Sequence, residues 1–181
     1  METLDIIVRI IKWRGHNMTR RETEITDKTA IQTILDTCRY LHLGVSTDDM
    51  PYVVTLNYGY EWDESDGHLI LYLHTAKKAH LLNIIDKNPN CAFSMECNVK
   101  PFFGPIPCRN GMVYESIMGS GKITVLDTTE EKAYGLRRIM KAQTGSDEGK
   151  FDEKLVSIVG VMRVDVREMK AKKRELPEAL R

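Results

Sequence analysis

Apolar positions first recur with a helical period just after Asp27, where Ala30, Ile31, Ile34, Leu35 and Cys38 share one face. From Tyr40 the period drops to two. The runs Tyr40–Ser46 and Pro51–Trp62, joined by the polar turn Thr47–Met50, read as a hairpin, and Asp63–Gly67 turns the chain into a third strand, His68–His74. Such short turns predict an antiparallel meander. A short helix is expected over Ala76–Asp86, stopped by Asn88-Pro89. Cys91, Phe93, Met95 and Cys97 then alternate with Ala92, Ser94 and Glu96, a strand pattern. Past a proline-rich loop, Pro101–Pro107, a further strand leads to a helix opened by the capping box Thr128/Glu131, with Ala133, Leu136, Ile139 and Met140 as its stripe. The last strand is expected over Ser157–Glu168.

About six strands, with two or three helices outside the meander, predict a mainly β chain folded as a small closed or nearly closed antiparallel barrel. A doubly wound sheet needs helices between all its strands, and these are missing. The stretch Ser116–Asp127, "SIMGSGKITVLD", looks like a phosphate loop but is not one. Position 116 is serine where the first glycine belongs, Ile123 replaces the magnesium-binding hydroxyl, and Thr124–Leu126 continue a strand. Gly119 and Gly121 are read instead as a bend, a bulge or a close backbone approach.

Composition narrows the class without naming it. The 181 residues suit one ordinary domain, 42% hydrophobic and 29% charged, with 26 basic and 26 acidic residues and zero formal charge. Nothing in that balance steers the chain to nucleic acid or an anionic membrane. "KAKKR" (Lys170–Arg174) is read as a solvated helix end or frayed terminus. Cys38, Cys91, Cys97 and Cys108 show no Cys-x-x-Cys spacing, which predicts reduced thiols in a cytoplasmic protein. Residues 1–17 carry Glu2, Asp5, Arg9 and Lys12 among their apolar positions and read as an extension, neither signal peptide nor membrane span. The domain proper is expected over 18–181, with Met18 an alternative start.

The richest stretch for chemistry is Leu69–Leu82. Leu69, Leu71 and Leu73 share the core face of a strand, and Ile70, Tyr72 and His74 the opposite one. The chain is then expected to enter its helix at Thr75 or Ala76, with Lys77 and Lys78 in the first turn and His80 one turn on. Helix N-termini attract anions, so the lysines either meet a phosphate or are simply solvated. His74 is a general acid/base, a metal ligand or a satisfied polar residue at a strand end. No His-Glu-x-x-His pattern supports metal, and no Gly-x-Ser-x-Gly elbow supports a hydrolase.

In order and spacing, "PYVVTLNYGYE", "LILYLHTAKKAHLLNIIDKNP", "VYESIMGSGKI" and "EEKAYGLRRIM" resemble the pyridoxamine 5′-phosphate oxidase-like FMN-binding split-barrel family, in its nitroimidazole-resistance (Nim-type) branch. The resemblance covers about Arg20 to Arg174. It implies an antiparallel split barrel, and a homodimer holding a flavin nucleotide in each of two clefts between subunits, FMN first and FAD second. It further implies that Val54, Thr55, Leu56 and Asn57 line the flavin ring. His74, Thr75 and Lys77 sit by the flavin and its phosphate, Tyr114 and Ser116 approach it from their strand, and His74 faces the substrate. The family commonly has glycine and a basic pair where this chain has Ala79, His80 and Leu81. Phosphate binding is therefore expected to rest on Lys77, Lys78, His80 or a residue elsewhere. The expected activity is flavin-dependent reduction or oxidation of a small aromatic or nitro compound, with nitroimidazole reduction the branch-level case. The rival is a non-catalytic barrel that stores or senses flavin or haem. Independently, the face Tyr52, Leu56, Tyr58, Tyr60 and Trp62 holds more aromatic surface than one small barrel should expose, a second reason to expect a dimer.

Overall fold

A computed structural model describes residues 23–47, 50–63 and 65–180. The expectation for residues 1–17 lies outside them. Seven strands and four helices follow in the order β1 (Glu24–Ile25), α1 (Lys28–Thr37), β2 (Tyr40–Ser46), β3 (Pro51–Asp63), β4 (His68–Ala76), α2 (His80–Lys87), β5 (Asn90–Phe102), β6 (Gly111–Leu126), α3 (Thr129–Thr144), α4 (Glu153–Ser157) and β7 (Val159–Arg174). The sheet runs β1-β7-β4-β3-β2-β5-β6, and a further β6–β7 pairing closes six of its strands into a ring. Every pairing is antiparallel. The expected barrel is the observed one.

Period-two patterning builds its interior. Leu41, Leu43, Leu69, Leu71, Leu73, Met95, Ile117 and Val164 all turn inward and are fully or almost fully buried. α1 plugs one end with Ile31, Ile34 and Leu35, its first turn capped by Asp27, whose carboxylate accepts from the Ala30 N–H at 2.8 Å. α3 lies on the outer face, over Tyr72, Leu126 and Val161. Its predicted capping box, Thr128 with Glu131, is present. Gly121 has the structural role expected of it. A Cβ there would stand 2.5 Å from the Asp165 carbonyl oxygen, and the β6–β7 register shifts beside it.

Three expectations need correction. The last strand starts at Val159, behind the short α4, and runs to Arg174, so "KAKKR" is neither a helix end nor a frayed tail. β6 supplies a ladder partner for each of Lys170–Arg174, Ala171 packs in the core, and the lysines on either side of it point outward. Likewise β4 continues through Thr75 and Ala76, because β7 pairs with both at Gly160 and Val159. α2 therefore begins only at His80. Finally, the aromatic face of β3 is interior. Tyr58 is 0% exposed, and Tyr52, Leu56, Tyr60 and Trp62 pack against the core. The alternate residues Val53, Thr55 and Asn57 are the exposed ones, so surplus surface aromatics give no argument for a dimer.

Where α3 crosses β3 the two backbones touch. A Cβ at Gly59 would fall 2.1 Å from the Arg138 carbonyl carbon and 2.3 Å from the Ile139 nitrogen. Gly59→Ala should therefore push α3 off the sheet and cost about 3 kcal/mol. Gly44→Ala, whose Cβ meets nothing nearer than 3.7 Å, should change stability by less than about 1 kcal/mol. Urea unfolding midpoints of the two variants check this, and equal midpoints would show that the α3 contact is loose.

Candidate functional site

β3 changes partners in mid-strand. Pro51–Asn57 pair with β2, whereas Tyr58–Asp63 pair with β4. β4 nevertheless runs on through His74–Ala76, where among the described residues only β7 pairs with it. A gap thus opens between the first half of β3 and the end of β4, each with one edge unpaired. The direction of the main-chain groups follows from Gln143. Its Nε2 donates at 3.0 Å both to the Tyr58 carbonyl and to the Arg39 carbonyl just ahead of β2. Tyr58 therefore turns its main chain to the β2 side, and by strand alternation Val53, Thr55 and Asn57 turn theirs to the gap. Pro51, which has no N–H, also falls on the gap side, where the ladder demands none.

Of the four residues predicted to line a ring, Thr55 and Asn57 offer main-chain groups to the gap. Val54 and Leu56 send theirs to β2 and pack their side chains on the core. The opposite wall carries His74, exposed on the outer face. Lys77 and Lys78 occupy the turn between β4 and α2, where the Lys77 N–H donates to the Ile158 carbonyl at 3.3 Å. They precede the helix instead of occupying its first turn. They still flank its N-terminus, because Ala79 is the N-cap and no side chain caps it. His80 is the first helical residue, with its ring edge-on to Tyr52 at 5.8 Å. That contact ties the start of α2 to the start of β3. Two ammonium groups, an imidazole and uncapped helix N–H groups form a donor set suited to a phosphate. The free β3 edge suits a planar heteroaromatic ring with its own donors and acceptors. The residues present fit a flavin nucleotide.

Beside His74 on the outer face, Tyr72 lies beneath α3 and donates to Glu61 at 3.0 Å. Burial and then that hydrogen bond raise its phenol well above the ordinary tyrosine range, so it stays neutral. Tyr134 of α3 donates to the same carboxylate, which anchors the helix next to the site.

Tyr114 and Ser116 are not brought to this gap within one chain. From Thr55 the ladder steps to His42, Ser94 and Met118, three strands on and roughly 14 Å across the wall, and Ser116 and Tyr114 lie beyond Met118 along β6. Tyr114 instead lines a separate pocket with Asn98, Glu115 and Lys173. Ser116 is buried, 6% exposed. A group that sequence reasoning missed does border the gap. The His42 Nδ1 lies 3.1 Å from the Thr55 hydroxyl and its Nε2 3.6 Å from Glu96, which also accepts from Ser94 at 3.0 Å. Strand parity puts His42 on the outer face, but only the β2–β3 and β2–β5 registers set it between Thr55 and Ser94. Among the described residues, no cluster of three or more His, Cys, Asp or Glu side chains could hold a metal ion.

Comparison with known proteins agrees with this architecture. A candidate 5-nitroimidazole antibiotic resistance protein from Bacteroides thetaiotaomicron is similar over 83% of this chain and 86% of that one, at 28% identity and a TM-score of 0.70. The flavocytochrome Anf3 of Azotobacter vinelandii matches over 91% of this chain and 75% of its own, at 17% identity and a TM-score of 0.73. An FAD- and haem-binding protein from Mycobacterium smegmatis matches over 85% and 74%, at 14% identity and a TM-score of 0.73. At such identities the last two show a shared fold alone. No curated protein matches the chain. A family model described as pyridoxamine 5′-phosphate oxidase matches residues 27–173. The chain, a mainly antiparallel barrel of seven strands with four helices, belongs to the pyridoxamine 5′-phosphate oxidase-like split-barrel family.

Proposed function

We propose that this protein is a flavin-dependent oxidoreductase that passes electrons to a small aromatic or nitro compound, with 5-nitroimidazoles as the leading substrate class. The observation that carries the reading is the gap between β3 and β4. It sets an unpaired strand edge opposite His74 and ends at Lys77, Lys78, His80 and an uncapped helix N-terminus. When bound, a flavin supplies the redox chemistry. Lys77, Lys78, His80 and the first N–H groups of α2 hold its phosphate. Because that donor set is a single cluster, FMN fits it better than FAD. The main chains of Thr55 and Asn57 orient the ring. His74 holds a proton on its imidazole at the open side of the gap, where a nitro group needs protons as well as electrons.

The protein acts as a homodimer in this reading. The described residues of one chain leave the gap open, so a second copy is what covers it, brings Tyr114 to the flavin and shuts out water. The visible absorption spectrum of purified protein separates this proposal from a haem-binding barrel, because flavin and haem bands differ. Turnover of reduced nicotinamide or a nitroaromatic separates it from a flavin store. A colourless protein that takes up no FMN would overturn it.

Two substitutions divide binding from chemistry. Charge-assisted hydrogen bonds contribute roughly 1.5–3 kcal/mol each, less at exposed sites. Replacing both Lys77 and Lys78 with alanine should therefore weaken FMN binding about tenfold to a thousandfold in a fluorescence titration. An unchanged dissociation constant would move the phosphate elsewhere. His74→Ala leaves the core untouched, since Leu69, Leu71 and Leu73 carry the packing of β4. It should keep the fold and most of the flavin while slowing nitro-group reduction about a hundredfold or more. Full activity in that variant would reduce His74 to a strand-end residue.

A further inference from the structure

A chain of polar side chains borders the gap, and the proposed chemistry leaves it without a task. Strand register sets its members together on the outer face: Thr55 of β3 opposite His42 of β2, and His42 opposite Ser94 of β5, with Glu96 two residues on. Ser94 donates to one oxygen of Glu96 at 3.0 Å, the other oxygen faces His42 Nε2 at 3.6 Å, and His42 Nδ1 lies 3.1 Å from the Thr55 hydroxyl. The Tyr40 ring stands edge-on to the imidazole at 5.6 Å. An imidazole set between a carboxylate and a hydroxyl can pass charge to the hydroxyl oxygen. Thr55 is the member at the gap, with its side chain exposed. When both imidazole nitrogens carry protons and Glu96 compensates the charge, Nδ1 donates to Thr55. That leaves the Thr55 O–H free to donate into the gap.

We propose that His42 and Glu96 are positioning residues that make the Thr55 hydroxyl a hydrogen-bond donor to the bound flavin and so favour its reduced form. The inference rests on the flavin reading above. A flavin ring gains electron density at its heteroatoms on reduction, and a donor backed by charge contributes most where negative charge develops. The chain Glu96–His42–Thr55 therefore holds the reduced cofactor more tightly than the oxidised one and raises its potential. On the same face, Lys170 and Lys172 of β7 lie two strands from Ser94 and Glu96, about 10 Å away, so the imidazole is the cation that Glu96 faces.

The test is the reduction potential of FMN bound to the full chain, titrated against a reference dye. His42→Ala and Thr55→Val should each bind oxidised FMN within about threefold of the unsubstituted protein. Each should bind reduced FMN about tenfold more weakly, which lowers the potential by about 30 mV. Because the two residues act as one unit, the double variant should fall no further than either single one. In the flavin-free chain, Thr55→Val and Glu96→Gln should each move the imidazole nitrogen resonances of His42 in NMR spectra. The inference fails if FMN binds and His42→Ala leaves the potential unchanged, if the two shifts add, or if the His42 resonances respond to neither substitution. A chain that takes up no FMN would instead bring down the flavin reading, and this inference with it.

Discussion

Tyr58 sits where β3 leaves β2 and joins β4, and three elements meet on it. Its hydroxyl, fully buried, donates to the carbonyls of Leu35 at 2.7 Å and Cys38 at 3.3 Å, the last turn and cap of α1. Its main-chain carbonyl accepts from Gln143 near the end of α3. Its ring packs in the core cluster. Burial, reinforced by nearby acidic groups, raises the phenol far above the usual tyrosine range, so it remains a neutral donor under ordinary conditions. A buried hydroxyl without a partner costs about 1–3 kcal/mol. The two helix-end carbonyls therefore fix the hydroxyl end of Tyr58 while the core holds its ring.

That exchange of partners opens β3 on both sides. A strand paired on both sides along its whole length has no free edge, and a barrel made only of such strands offers a ligand nothing but side chains. Here the first half of β3 is open toward β4 and the second half is open beyond the start of β2. Free edges are hazards unless something covers them. The second is enclosed by α1 and α3, the first by no other element among the described residues. In the proposed function a flavin and a second copy cover the first.

The outer face explains how the site stays rigid beside an open gap. Glu61 gathers Tyr72 of β4 and Tyr134 of α3, and Arg138 lies over the Tyr134 ring at 4.8 Å. Gly59 lets the helix backbone rest directly on the strand. The wall bearing His74 is thus clamped two residues away, at Tyr72, while His74 itself stays open to solvent.

Much of this was legible along the chain. Period-two runs gave β2 to β6, Asp27 and the Thr128/Glu131 box gave the starts of α1 and α3, and parity put His74 opposite the leucines. Those features depend on residues within a few positions of one another, where side-chain direction and capping chemistry act. What depended on a distant partner could not be read that way. "TAKK" has weak preferences of its own, and β7, more than eighty residues later, decided that Thr75 and Ala76 are strand, so that Lys77 and Lys78 precede the helix. β6 drew "KAKKR" into the sheet in the same manner. The aromatic face of β3 was correctly identified as one face, but only its packing against the barrel core, with α1 over Tyr58 and Tyr60 and α2 beside Tyr52, made it interior. The pairing of His42 with Thr55 and the two free edges of β3 exist only in the strand register. The sequence by itself determined which side chains share a face, because alternation and helical period are local geometry. The tertiary structure decided which faces are covered and which strand edges are left open, because pairing is settled between segments that only folding brings together.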